Sequence, residues 1–105
     1  MKYNQIGKSN LKVSQICLGT MTMGVQNNKD QSHEIMNYAF NNGINFFDTS
    51  DTYGDGRSEK FLSKIIKSTS EKIYVSTKLG RRVRGTDYQK GYKHEPMEEF
   101  IDRSL

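Results

Sequence analysis

Three ionisable side chains, Asp48, Tyr53 and Lys78, carry the chemistry that this sequence can do. A tyrosine has a reference pKa of about 10, too high for ready proton exchange at neutral pH. An adjacent ammonium stabilises the phenolate and lowers that value, and Lys78 can supply the charge. An ammonium leaving water for a dry site loses its proton unless a carboxylate holds it, which Asp48 can do. The order Asp48, Lys78, Tyr53 therefore describes a tuned proton donor. Spacing alone leaves a second description equally open: a surface tyrosine beside an ordinary ion pair at a strand end.

Whether the three side chains meet depends on the elements that carry them, and apolar periodicity divides the chain into alternating strands and helices. Ile16-Cys17-Leu18-Gly19-Thr20 is a short apolar run that suits a strand buried on both faces. Ile35, Met36, Ala39 and Phe40 form one stripe of a helix that opens near Asp30 and is closed by Gly43. A second strand follows over residues 45–49. The stripe recurs as Phe61, Leu62, Ile65 and Ile66, on a helix reached through Gly56 and Ser58 with Glu59 in its first turn. Residues 73–78 read as the third strand, and Pro96 opens a third helix, where its missing N–H costs nothing. Ahead of them all, Tyr3, Ile6, Leu11 and Val13 flank Gly7-Lys8-Ser9-Asn10 as a β-hairpin outside the parallel sheet, suited to plug the bottom of a barrel.

Strand and helix in strict alternation make parallel βαβ units, so the fold class is α/β. The strand starts are about 28–29 residues apart, and eight such units would total on the order of 230 residues, close to a (β/α)8 barrel. A flavodoxin-like sheet uses the same units and needs about five strands, so periodicity by itself does not choose. In both architectures the C-terminal strand ends share the face that carries the site. Neighbouring strands lie about 4.8 Å apart, so Asp48, Tyr53 and Lys78 are expected to converge there. After the first strand, residues 19–24 are small and polar or flexible and let a ligand approach the backbone.

Composition bounds the rest. The 105 residues make one domain, 1–105, and 33% hydrophobic residues with a mean hydropathy of −0.82 predict a thin core. No apolar run suggests a membrane span or a signal region, which predicts a cytoplasmic protein without membrane contact. The single cysteine, Cys17, reads as a small buried hydrophobe, and His33 falls on the polar side of the first helix. The net charge of +4 raises the question of nucleic acid. Much of it is local, in Lys78, Arg81, Arg82, Arg84, Lys90 and Lys93, with Tyr88 and Tyr92 interleaved. A solvated loop at the mouth of the site is the commoner form of such a segment, and no nucleic-acid partner is expected.

Gly43-Ile44-Asn45-Phe46-Phe47-Asp48-Thr49-Ser50-Asp51-Thr52-Tyr53-Gly54, followed by Ser58-Glu59, resembles the signature of the aldo-keto reductases, in which Asp and Tyr are catalytic. Leu18-Gly19-Thr20-Met21-Thr22-Met23-Gly24 and Val75-Ser76-Thr77-Lys78-Leu79-Gly80 are similar to the family's first and third strands, in order and spacing. The subgroup most resembled holds the potassium-channel β subunits and bacterial sugar and aldehyde reductases. The resemblance implies the N-terminal part of a (β/α)8 barrel: a leading hairpin and about three βα units. It also implies reduction of an aldehyde, ketone or sugar carbonyl by hydride from NADPH, with a small-molecule substrate, and leaves the oligomeric state open. Tyr53 would be the general acid, Lys78 would lower its pKa, and Asp48 would hold Lys78. Gly19, Thr20 and Met21 match positions lining the nicotinamide and its ribose, Asp48 lies against that ribose, and Gln26 is a weaker match to a cofactor contact. Gly54-Asp55-Gly56 running to Glu59 lacks the last glycine of a dinucleotide fingerprint and follows the wrong strand.

The sequence departs from the family at its end. The family's fourth catalytic position, a histidine after strand four, is absent, as are the late-barrel loops that grip the cofactor's phosphates, and His94 is not that histidine. The expectation is a truncated product or fragment of a reductase, inactive by itself. The alternative is a short non-catalytic interaction protein using its open sheet edge, which would need a partner to cover it.

Overall fold

The computed structural model describes residues 1–80 and 97–104. The expectations for the basic segment from Arg81 to Lys93, for His94 and for Pro96 lie outside the described residues.

Two short strands, β1 (Tyr3–Gln5) and β2 (Lys12–Ser14), pair antiparallel with Tyr3 opposite Ser14. The hairpin expected at the N-terminus is therefore present. It docks on the turn before the central strand: Tyr3 Oη donates to the Gly43 carbonyl at 2.8 Å, and the Ser14 amide donates to Asn45 Oδ1 at 2.7 Å. That position is the bottom end of the sheet, away from the strand C-termini.

The main sheet has three parallel strands in the order β3 (Leu18–Gly19), β4 (Phe46–Asp48), β5 (Tyr74–Ser76). Leu18 pairs with Phe47 and Phe47 with Val75, so one cross-strand row reads Gly19, Asp48, Ser76. Helix α1 (Lys29–Asn41) joins β3 to β4, and α2 (Arg57–Lys67) joins β4 to β5. The described chain ends with α3 (Met97–Ser104). α1 starts on a capping box in which Asn28 Oδ1 accepts from the Gln31 amide at 2.9 Å and Gln31 Oε1 accepts from the Asn28 amide at 3.0 Å. Gly43 ends it as expected.

The core forms between one face of this sheet and the two helices, from Met23, Met36, Ala39, Phe47, Leu62 and Ile65, with Leu18 and Ile73 packed against them. Three expectations change here. The first strand is not buried on both faces: Leu18 turns to the helices while Cys17 and Gly19 turn the other way and are exposed, so Cys17 is not a core residue. The stripe on α1 is rotated, with Ser32, Met36 and Ala39 buried and Ile35 at its exposed edge. His33 consequently packs edge-on against Phe61, ring centroids 5.5 Å apart, and is half-buried rather than on a solvated face. Among the described residues no helix is long and apolar enough to cross a membrane.

Candidate active site

The strand register positions the site from below. Past the ends of the strands the ladder continues: the Thr20 amide donates to the Asp48 carbonyl at 3.0 Å, the Thr49 amide to the Ser76 carbonyl at 2.8 Å and the Asp51 amide to the Lys78 carbonyl at 3.0 Å. Asp48 and Lys78 are thus carried on adjacent, hydrogen-bonded segments at the C-terminal end of the sheet.

Tyr53 arrives by a different route. After β4 the chain makes a 3-10 turn over Tyr53–Gly56 whose residues Gly54, Asp55 and Gly56 all have positive φ, folding the backbone back over the strand end. Gly54 lies against Gly24 of the β3–α1 loop so closely that a Cβ on Gly54 would sit 2.8 Å from the Met23 carbonyl oxygen and 2.9 Å from the Gly24 Cα. Arg57 Nε closes the same contact by donating to the Gly24 carbonyl at 3.0 Å. Two backbones in direct contact fix the turn, and with it the tyrosine.

Lys78 Nζ stands at the centre of the cluster. It donates to Asp48 Oδ2 at 2.6 Å, to the Thr49 carbonyl at 3.1 Å and to Tyr53 Oη at 3.4 Å, and it lies 5.2 Å from the Tyr53 ring centroid. An ammonium has three protons and no lone pair, so these three acceptors use its whole donor capacity. Tyr53 Oη accepts from Lys78, and its own O–H remains to donate outward. The hydrogen bond to Asp48 holds the Lys78 ammonium above the ordinary lysine range; partial desolvation opposes it, and the bond to Tyr53 adds to the rise. Lys78 remains 52% exposed and Asp48 34%, so the pair contributes at most about 1 kcal/mol to stability. Beneath them, slight desolvation and then the Asp48 carboxylate push the Cys17 thiol up, away from thiolate chemistry.

All three side chains singled out as catalytic candidates therefore meet in one cluster. The residues expected at a cofactor divide. Gly19, Met21 and Gln26 are exposed at the same end of the sheet, and nothing lies within 4 Å of where a Cβ on Gly19 would be. Thr20 is fully buried, its hydroxyl donating to the Asp48 carbonyl at 2.9 Å, so its side chain is not offered at the mouth.

One feature of the site was not singled out from sequence: a buried chain of hydroxyls under the cluster. Thr49 Oγ1 and Ser58 Oγ are 2.9 Å apart, and Ser58 Oγ donates to Thr20 Oγ1 at 2.7 Å. Only small polar residues next to strand ends signalled it.

Residues 15–105 match the sequence profile of the Aldo/keto reductase family. An oxidoreductase of Bacillus subtilis strain 168, YqkF, is 32% identical over 105 residues, covering the whole chain and 33% of that relative. A second from the same organism, YrpG, is 37% identical over 86 residues, which are 75% of this chain and 26% of the relative. The aldo-keto reductase AKR11C1 from Bacillus halodurans, solved in its holo form, superposes with a TM-score of 0.78 at 32% identity, over 100% of this chain and 35% of its own. The chain spans about a third or less of the length of these relatives.

Proposed function

Because the chain belongs to the aldo/keto reductase family, we propose that it supplies the proton-donating part of a cytoplasmic carbonyl reductase that takes an aldehyde, ketone or sugar as substrate. The observation that carries this reading is the saturated Lys78: its ammonium is anchored by Asp48 and the Thr49 carbonyl, and its third bond reaches Tyr53 Oη. A carbonyl oxygen at the mouth would accept the tyrosine's free proton. As its carbon is reduced and negative charge develops on the oxygen, that proton moves to the oxygen, an alcohol forms, and the phenolate left behind is stabilised by the adjacent ammonium. Solvent at the exposed mouth returns the proton.

The residues around the cluster suit a nicotinamide dinucleotide, with NADPH our specific choice. The open space in front of Gly19 lets a flat ring lie against backbone, and Met21, Gln26 and the outer edge of Asp48 border it. Thr20 supports this surface from behind. When bound, such a cofactor supplies the hydride that reduces the carbonyl carbon. The test is to purify the protein as its gene encodes it and follow nicotinamide absorbance with NADPH or NADH across a panel of aldehydes, ketones and sugars. We expect NADPH-dependent turnover that Lys78→Met removes. Turnover unaffected by that change, or none with any carbonyl, would overturn the reading.

A further inference from the structure

Ser58 and Glu59, consecutive residues in the first turn of α2, together reach all three strand ends that carry the site. Ser58 is fully buried. Its hydroxyl donates to Thr20 Oγ1 at 2.7 Å and lies 2.9 Å from Thr49 Oγ1, while Thr20 Oγ1 passes a hydrogen bond on to the Asp48 carbonyl at 2.9 Å. One direction of donation satisfies the whole chain: Thr49 to Ser58, Ser58 to Thr20, Thr20 to Asp48. Glu59 Oε1 accepts from Thr77 Oγ1 at 2.6 Å, and Thr77 is the chain neighbour of Lys78. One side chain therefore holds the residues bonded to Asp48, and the next holds the residue bonded to Lys78.

We propose that Ser58 and Glu59 are positioning residues, the turn they share setting the separation of Asp48 from Lys78 and so keeping Lys78 Nζ within reach of Tyr53. Neither side chain is in the cluster itself. Directional bonds suit the task better than apolar contact, because a hydrogen bond weakens steeply with misalignment whereas packed methyl groups tolerate sliding. The carboxylate makes the bond to Thr77 charge-assisted, which strengthens it where water competes. α2 is in turn anchored in the core by Leu62 and Ile65, so the two side chains transmit the position of a packed helix to the strand ends. The proposal rests on the reading of Tyr53 as proton donor, and its test is built to separate the two.

In the protein as its gene encodes it, the ε-methylene of Lys78 is followed by NMR against pH, its signal identified by its loss in Lys78→Arg. This readout needs no turnover. We expect the Lys78 midpoint to fall toward the ordinary lysine value in Ser58→Ala, Glu59→Ala and Thr77→Val, and to stay in place in Glu59→Gln, which keeps an acceptor oxygen. In the reductase assay the same three variants should lose kcat by on the order of 10- to 100-fold, as small misplacements of reacting groups do, while KM moves by no more than about twofold. Glu59→Gln should recover most of the loss. An unmoved Lys78 midpoint across the three variants, equal effects of Glu59→Gln and Glu59→Ala, or a lowered melting temperature with titration and kcat unchanged would overturn the proposal. Thr77 is exposed, so Thr77→Val keeps the test decidable should Ser58→Ala fail to fold. Full turnover in Tyr53→Phe would instead sink the proton-donor reading, leaving the Lys78 titration to judge the positioning.

Discussion

The two faces of β4 do different work. Toward the helices, Phe47 is fully buried and packs with Leu18, Met36 and Leu62. Toward the other side, Asp48 holds Lys78 in a row with exposed Gly19 and Ser76. Alternation along a strand puts these neighbours on opposite faces. The consequence is a division of labour at a spacing of one residue: a change at 47 should act on stability, and a change at 48 on chemistry. The bare face also shows what the described residues leave uncovered, since Cys17 and Ser76 on it are exposed.

That contrast can be broken most severely by leaving the bare face bare. Residues 1–105 expressed alone are expected to show no cooperative monomeric melt and no NADPH turnover, because the described residues leave the sheet face at Cys17, Gly19 and Ser76 exposed and a margin of about 5–15 kcal/mol is small. A sharp thermal transition with micromolar NADPH binding would refute this. Next in size is Phe47→Ala in the protein as its gene encodes it, expected to cost about 3–5 kcal/mol in urea unfolding through the cavity it leaves. Gly54→Ala tests the backbone contact that fixes the tyrosine turn. With φ at +57° and no room for a Cβ, it should cost about 1–3 kcal/mol and lower kcat together, because Tyr53 moves with the turn. The smallest effect belongs to the exposed ion pair. Asp48→Asn should lower stability near neutral pH by no more than about 1 kcal/mol. The raised pKa of folded Lys78 makes this contribution fully present below the unfolded value, and it is lost as pH rises through the folded one. The difference between wild type and variant should therefore shrink above the ordinary lysine value of 10.5.

Much of this arrangement was legible in the sequence, for physical reasons that differ by residue. The placement of Asp48 and Lys78 followed from strand periodicity, because parallel strands in sequence order bring their C-terminal ends together. Tyr53 was legible as a tuned proton donor from its chemistry, but the resemblance was needed to choose that role over a surface tyrosine, since five residues of turn do not fix a direction from spacing alone. The rotated stripe on α1 is not legible from apolar residues alone, because counting only these weights Ile35 and overlooks the fully buried Ser32. The position of His33 is hidden for the same reason: it lies three residues before Met36, on the face that meets Phe61. The apolar neighbours of Cys17 suggest a core position, although strand alternation turns it to the exposed face opposite Leu18. The hydroxyl chain through Ser58 joins residues 38 and 9 positions apart, and nothing local encodes such a meeting.

The central claim is that Tyr53, oriented by Lys78, gives its proton to the substrate oxygen. Single-turnover measurement of nicotinamide oxidation in wild type and Tyr53→Phe, across pH and with a carbonyl that the wild type reduces, tests it most directly. Loss of a positioned general acid should slow the step by on the order of 10²–10⁴-fold with unchanged cofactor binding and an unchanged melt. A Tyr53→Phe protein that reduces the carbonyl at the wild-type rate and with the wild-type pH dependence would contradict the account.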